Sequence, residues 1–446
     1  MDLSTDVVVV GGGACGLMAA WRAARHGAEV VLLEKDRRLG CNAEIASGSL
    51  PAAGTRHQRA AGVVDSVDRM ACDILAKNKG QADAAIVRAL CARSPEIIGI
   101  FEDELGVPLE LNTDSSRFGF SALRLHNGPG RTGAPLIAAL RGALESMANV
   151  TMADRTPGTG LITDQAGSVV GVEAGTQRLG AGRVILACDG FGANAAMVAR
   201  YIPEMAGVEG IGVQGNTGDA IRWGMALGAA TAHMGSYQGH GLVCAGYGTR
   251  LVPEIPQLGA VIVNREGRRF AREDQGYSEF AREVLAQPGG VAVAIFDQRM
   301  FDVVARLDHW RNTVASGAIK SAPTLAGLAA TFRLPWDAVQ GSLRDCDGSR
   351  PDPLRRAALP VPAVAPFHGA LITGTLAHTQ GGLVVDVHAR VLRPDGTPIP
   401  NLYAGGGSAA GISGESADGY LSGNGLLSAY GLGLIAGDHA AQTLRR

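Results

Sequence analysis

The stretch Asp6-Val-Val-Val-Val-Gly-Gly-Gly-Ala-Cys-Gly16, followed further on by Glu34, constrains the fold of this chain more than any other. Four consecutive valines read as a strand buried on both faces, the pattern of a central strand in a parallel sheet. Gly11, Gly13 and Gly16 then set a Gly-x-Gly-x-x-Gly turn. An alanine-rich amphipathic stretch, Leu17 to His26, is closed by Gly27, and a second apolar strand, Ala28 to Leu33, ends on Glu34. Each part has a physical task. The first glycine permits the tight turn, the second lets a pyrophosphate touch backbone, and the third lets the helix sit close to the sheet. The helix start, with Ala14 and Cys15, offers N–H groups and a positive dipole end to phosphate, and Glu34 is placed to accept from ribose hydroxyls. The spacing predicts a dinucleotide-binding βαβ unit. A glycine-rich turn in an ordinary α/β unit would leave Glu34 unexplained.

The chain has 446 residues, too many for one simple core, so two domains are expected. A net charge of −2 and 18% charged residues give no sign of nucleic acid or an anionic membrane as partner. Met1 leads through polar residues straight into the first strand, which reads as no signal peptide, and no long apolar run escapes glycine breaks, so no membrane span is expected. Seven scattered cysteines without Cys-x-x-Cys argue against a disulfide framework, a zinc or iron–sulfur centre and haem attachment. The expectation is a cytoplasmic protein without metal, its cysteines small core residues, whose electrons leave to an external acceptor such as oxygen, a quinone or a carrier. Sixty-three glycines, about twice the average share, suit a large cofactor lying along backbone.

Along the chain, Arg38 to Gly48 is a small-residue loop too polar for core. Helical patterns cover Val64 to Asn78 and Ala82 to Leu105, and Arg117 to Arg131 is a polar loop carrying His126. A helix from Ala134 to Met147 follows, with Thr132 as its cap. Strands are predicted at Val150–Ala153, Gly158–Asp164, Val169–Ala174 and in Arg183–Gly190. From about Ser236 to Pro366 the character changes, with strands Ala260–Asn264 and Val291–Phe296 among charged helical stretches and Trp310 and Trp336. After Phe367 the α/β character returns and ends in a helix from about Gly425 to Ala441. The division expected is 1–235, 236–366 and 367–446, the middle part being an insertion.

Together these stretches resemble the flavoprotein family of fumarate reductases and 3-ketosteroid Δ1-dehydrogenases. The matching motifs are Val7–Gly16, Leu39-Gly-Cys-Asn42 with Ser47-Gly48, Leu186-Ala-Cys-Asp-Gly-Phe-Gly192, Thr217-Gly-Asp219 and Val263-Asn-Arg-Glu-Gly-Arg-Arg-Phe270. They continue with His378-Thr-Gln-Gly-Gly-Leu383, Pro400-Asn-Leu-Tyr-Ala-Gly405 and Gly423-Asn-Gly-Leu-Leu427, in the family's order over nearly the whole chain. The resemblance implies an α/β fold: a Rossmann-like FAD-binding domain of glutathione-reductase type made from the two chain ends, with an inserted α+β substrate-capping domain. It implies FAD held by the first glycine turn and Glu34, by Lys35, Cys41, Asn42, Ser47 and Gly48, by Asp189, Gly190, Asn216 and Asp219, and by Gly405, Gly407, Leu426 and Leu427. The flavin is expected to be non-covalent, because no histidine lies in Arg37 to Ser49, where covalent members carry one. Relatives usually have an acid where Gly407 stands, which puts that contact in doubt.

Where fumarate-reducing members carry a proton-delivering arginine and a substrate-clamping arginine, this chain has Tyr277 and Tyr420, as the ketosteroid dehydrogenases do. The resemblance thus implies removal of a proton α to a ketone by one tyrosine and hydrogen bonding of the carbonyl oxygen by the other, with the β hydrogen passing as hydride to flavin N5. The chemistry requires both: the α proton is acidic only if enolate charge is stabilised by a donor such as Tyr420, and Tyr277 serves as base only if its pKa, about 10 unperturbed, is lowered. Arg268, Arg269 and Arg272 are near it in sequence. His126 and His378 match positions that hold substrate carboxylates, Arg124 and Arg131 flank the first, and Gly423 and Asn424 lie beside Tyr420. The substrate expected is a small cyclic keto acid such as 4-oxocyclohexanecarboxylate. The alternatives are an ene-reductase of fumarate or urocanate type, or a 3-ketosteroid dehydrogenase. Residue by residue, Tyr277 could instead be a packed aromatic, His378 a capping group, His126 a solvated loop residue, and Arg124 and Arg131 surface charges.

Overall fold

The computed structural model describes residues 3–36, 40–113, 118–305 and 307–444. Arg37, Arg38, Leu39 and Arg117, which fall in the loops and motifs above, lie outside the described residues. The valine run becomes the strand Leu3–Val10, with Val7, Val8 and Val9 fully buried. Its neighbours Val30–Leu33 and Gln177–Leu186 both run parallel to it. The full order is Arg390–Leu392, Pro398–Ala404, Gln177–Leu186, Leu3–Val10, Val30–Leu33, Val150–Ala153. Strands Gly158–Thr163 and Val169–Ala174 form an antiparallel excursion that leads into Gln177–Leu186, which therefore begins well before Arg183. This is a mixed α/β fold around a Rossmann-like parallel sheet.

The two chain ends share this sheet, since Leu402 pairs with Val184 in parallel. They also share a helix pair. A Cβ at Gly433 would stand 2.5 Å from Cys15 O, and one at Gly437 2.6 Å from Ala19 O. Two glycines one turn apart strip one face of the helix Asn424–Leu444, so that it lies directly on Ala14–Arg25. Residues 1–237 and 378–446 form one compact unit and 238–377 a second.

Several boundaries differ from the sequence patterns. The first helical pattern is Val67–Lys77, capped by Ser66, whose hydroxyl accepts the Arg69 N–H at 3.1 Å. The second is Ala84–Gly99, ending in a π turn over Ile100–Glu104. Helix Ala134–Glu145 starts at Gly133 with no side-chain cap, so Thr132 does not cap it. A Cβ at Gly133 would stand 1.7 Å from Ala43 O, and its N–H bonds to Ala46 O at 3.0 Å, so the preceding loop closes that helix end.

In the second unit, the sheet runs Tyr237–Cys244, Phe367–Thr379, Val291–Asp297, Val261–Val263, with Lys320–Ala322 also on Phe367–Thr379. Residues 367–377, α/β by composition, thus belong to the middle of this sheet. Strand Val291–Asp297 is buried along its length and alternates between two cores. Ala292, Ala294 and Phe296 join Leu242, Phe280 and Trp310, while Val293 and Ile295 join Leu328 and Val339. Helix Tyr277–Leu285 approaches the sheet closely because a Cβ at Gly241 would stand 2.7 Å from Ala281 N and one at Gly374 2.3 Å from Ala281 O.

Candidate active site

The glycine turn is built as its spacing predicts. Gly11 has φ +108°, and a Cβ there would stand 2.5 Å from Ala187 O; a Cβ at Gly16 would stand 1.8 Å from Gly11 O. A Cβ at Gly13 would make only ordinary contact, 3.6 Å to Cys41 Cβ. Helix Ala14–Arg25 begins there with no side-chain cap, which leaves first-turn N–H groups for an anion. Glu34 is oriented by backbone: Oε2 accepts the Gly12 N–H at 2.7 Å and Oε1 the Asp36 N–H at 2.9 Å. Gly12, an unspecified position of the motif, is thus the residue that aims the acid.

Further groups converge around this turn. Lys35 Nζ reaches Thr217 Oγ1 at 3.1 Å and Asp219 Oδ2 at 3.3 Å. Burial opposes the Asp219 charge, but hydrogen bonds from Thr217 and Arg222 and the Lys35 charge outweigh it and hold the carboxyl below its usual range. Gly48 has φ +62° and would place a Cβ 2.4 Å from Thr132 O, while Ser47 and Ser49 share a hydrogen bond of 3.0 Å. Asn216 is buried, and its carbonyl accepts the Ala193 N–H at 3.0 Å. Gly405 lies on Cys15, a Cβ there standing 2.6 Å from Sγ. Leu427 is buried and Leu426 half-buried. Burial pushes the Cys41 thiol up to about 11 and the Cys15 thiol higher still, so neither is a thiolate at neutral pH. The cysteines are not all core, however: Cys72 is exposed, and Cys41 and Cys188 are half-buried.

Asp189 explains the departure at Gly407. It is a non-glycine residue with φ +64°. Its Oδ1 accepts the Gly190 N–H at 2.8 Å and its Oδ2 the Asn42 Nδ2 at 3.0 Å. A Cβ at Gly407 would stand 2.1 Å from Asp189 Oδ1. The room a side chain at 407 would need is filled by the carboxylate of Asp189.

Near the start of the C-terminal helix, His378 and Tyr420 meet edge to face, with ring centroids 5.8 Å apart. Tyr420 is buried, and His378 half-buried. Gln380 Nε2 donates to His378 Nδ1 at 3.1 Å, Ser413 Oγ to Gln380 Oε1 at 3.0 Å, and Asn424 Nδ2 to Ser413 Oγ at 3.2 Å. Nδ1 also lies 3.3 Å from the Thr379 carbonyl oxygen, so side chains and backbone together hold this edge of the ring. Burial lowers the His378 pKa against the opposing pull of Asp189, so the ring is neutral near pH 7. Gly425 makes room for it, since a Cβ there would stand 2.8 Å from His378 Cε1; Gly423 has φ +86° and would strike Pro51 at 2.6 Å.

His126 and Arg124 are not solvated loop residues. His126 sits in the short strand Leu125–Asn127, fully buried, with Nδ1 on Arg124 O at 2.8 Å and Nε2 on Thr55 Oγ1 at 2.9 Å. Burial pushes its pKa down to about 4. Arg124 is buried in an ion pair with Asp65 (Nε to Oδ2, 2.7 Å) and a second with Asp73. Both ends of its guanidinium are committed to carboxylates, so Arg124 is a structural cation rather than the substrate ligand expected from its sequence position. Arg131 lies half-buried in a tight turn with φ +51°.

Tyr277, in the second unit, is the first residue of helix Tyr277–Leu285. Gln238 Nε2 donates to its hydroxyl at 3.3 Å, and the His240 ring lies 5.1 Å away, tilted by 42°. The arginines near it in sequence are engaged elsewhere: Arg269 binds Glu273 at 2.6 Å and Asp352 at 2.8 Å, Arg272 binds Asp274 at 3.0 Å, and Arg268 is exposed. Gln238 and His240 carry no motif that sequence reasoning could have found; their only signal is i, i+2 spacing on one strand.

A Rossmann-like sheet with this glycine turn, an uncapped helix start and an aimed ribose-side acid defines a dinucleotide-binding protein. Residues 6–426 match the family described as FAD binding domain, and the chain belongs to that family. It is 29% identical to a fumarate reductase (cytochrome) of Shewanella frigidimarina over 98% of this chain and 77% of that protein. It is 26% identical to 4-oxocyclohexanecarboxylate 2-dehydrogenase of Sinomonas cyclohexanicum, over 94% of this chain and 92% of that protein. Among solved structures it superposes on the 3-ketosteroid-Δ4-(5α)-dehydrogenase of Rhodococcus jostii RHA1 with a TM-score of 0.78 and 26% identity, covering 99% of this chain and 97% of that one. The cofactor is FAD, and the protein is an FAD-dependent oxidoreductase of the fumarate reductase and ketosteroid dehydrogenase type, acting on carbon–carbon bonds. Among the described residues no helix is long and apolar enough to cross a membrane.

Proposed function

We propose that the enzyme desaturates a ketone next to its carbonyl, on a small cyclic keto acid of the 4-oxocyclohexanecarboxylate kind. The observation that carries this reading is a tyrosine at each position where fumarate-reducing relatives use arginine, Tyr277 with the Gln238 amide donating to its hydroxyl and Tyr420 with its ring against His378. Tyr277 removes the α proton. Tyr420 donates to the carbonyl oxygen and stabilises the enolate charge as it forms. His378 hydrogen-bonds the substrate carboxylate, with Asn424 and Gly423 shaping the surroundings. His126 supports that region through its own bonds, and Arg131 is the remaining arginine of its loop proposed to face the acid. Non-covalent FAD, held along the turn by Gly11, Gly13, Gly16 and Glu34, supplies the hydride acceptor. The residues 238–377 serve as the substrate-capping part, and an external acceptor reoxidises the enzyme.

Anaerobic mixing of the holoenzyme with cyclic ketones, with and without a ring carboxylate, tests this through flavin absorbance near ~450 nm. Bleaching by the keto acid and not by the plain ketone is the expected result. Bleaching by steroids alone would overturn the substrate. No bleaching by any ketone, with fumarate or urocanate reoxidising the chemically reduced protein, would replace the proposal with an ene-reductase.

A further inference from the structure

A tyrosine is a poor base until something makes its phenolate stable, and the surroundings of Tyr277 are built for that. Strand Tyr237–Cys244 turns back on itself at once: Cys244 N–H bonds to Thr249 O at 2.7 Å and Leu251 N–H to Leu242 O at 2.9 Å. This hairpin sets Arg250 opposite Val243, and Thr313 Oγ1 donates to the Arg250 carbonyl at 2.9 Å. The returning strand thus carries a half-buried guanidinium, anchored through its own backbone. On the outgoing strand, Gln238 and His240 face Tyr277, and Gly239 N–H bonds to Ser278 Oγ at 3.0 Å, tying strand to helix beside the tyrosine.

Burial lowers the Arg250 pKa, and the charge of Tyr277 acts in the opposite direction, so a phenolate and this guanidinium stabilise each other. His240 does not compete for the proton. Burial, with the charges of Arg250 and His309, pushes its pKa down to about 3, so it stays neutral. On the helix itself, Glu279 is turned back to the Gly276 N–H at 3.2 Å.

We propose that Gln238 is a positioning residue that holds Tyr277 in its proton-accepting form, its amide donating to the phenolate oxygen, and that the Arg250 guanidinium adds its charge to the same effect. The proton leaves Tyr277 to solvent before substrate is attacked, and returns to it from the α carbon. This rests on the reading of Tyr277 as the base. The sign follows from the charges. A donor on the hydroxyl oxygen and a cation whose charge reaches it both favour the deprotonated form, so the rate of flavin reduction rises with pH through a midpoint below that of an ordinary tyrosine.

The test is the pH dependence of flavin reduction by the keto acid, measured anaerobically in holoenzyme variants. Arg250→Met should move the midpoint up by at least about one pH unit, which is roughly tenfold slower reduction below it. Arg250→Lys should keep the midpoint near its original place, and Gln238→Leu should move it up by less than Arg250→Met. Should Arg250→Met fail to fold, Arg250→Lys and Gln238→Leu carry the comparison, and identical profiles in Gln238→Leu and the unaltered enzyme would overturn the proposal. Identical profiles in Arg250→Met would overturn it equally. Tyr277→Phe separates the two levels: if that variant is reduced at the unaltered rate the base assignment itself fails, whereas a blocked Tyr277→Phe with unshifted Arg250 variants sinks only this inference.

Discussion

Arg124 and Arg250 show how differently the two units treat a buried cation. Arg124 is fully enclosed with Asp65 and Asp73, and although burial works against its charge, those two carboxylates raise its pKa above the ordinary arginine value. Arg250 is half-buried with its pKa lowered by burial, and the charge acting on it is that of a phenol that is ordinarily neutral. A charge matched by permanent opposite charges is structural, because moving it would strand the partners. A charge matched by a group that must itself ionise is coupled to that group's titration. Asp189 is held by neutral donors instead, Asn42 and the Gly190 N–H, and fills the space beside Gly407.

Experiments can break this contrast at several points. The largest effect is expected from Tyr277→Phe, which should abolish flavin reduction by substrate while FAD stays bound, read as absence of anaerobic bleaching in a protein that remains yellow. Arg124→Met should cost about 3–5 kcal/mol of stability, seen as a lower denaturant midpoint, with little change in the pH profile of whatever enzyme stays folded; a catalytic shift there would erase the distinction between the two arginines. Tyr420→Phe should lose about 10²–10³ in turnover through one missing oxyanion donor, with near-unaltered kinetics refuting its role. Gly407→Glu should weaken FAD binding by overpacking against Asp189, at a cost of about 1–3 kcal/mol, and Asp189→Gly in the same chain should restore part of it, as measured by FAD titration of apoprotein.

The smallest expected effect concerns acid. His126 is near 6.5 when unfolded and about 4 when folded, so the unfolded chain binds more protons between those values and stability falls as pH drops from about 6.5 towards 4. His126→Gln should flatten that limb of a stability–pH curve, at the expense of some stability near pH 7.

Much of the first unit was legible because its demands are local. Val150–Ala153 and Val169–Ala174 have the same limits in the sequence pattern and in the structure. The fate of Arg124 was not legible, because Asp65, just before helix Val67–Lys77, and Asp73, within it, lie far back along the chain, and nothing in their spacing announces a shared guanidinium. The same holds for Tyr277. Its sequence neighbours Arg269 and Arg272 looked like activators, but both turn to acids close by in the chain.

By itself the sequence determined the nucleotide-binding turn, for a physical reason: each glycine there answers a backbone requirement, a positive φ at Gly11 or a contact at Gly16 closer than any Cβ allows, and such requirements are written one residue at a time. Only the tertiary structure decided which cation's charge acts on Tyr277. That pairing depends on the hairpin that returns Arg250 beside Val243 and on the glycines that let helix Tyr277–Leu285 descend onto the sheet. Side-chain electrostatics follow distance in space, and distance in space is set by register and packing rather than by position along the chain.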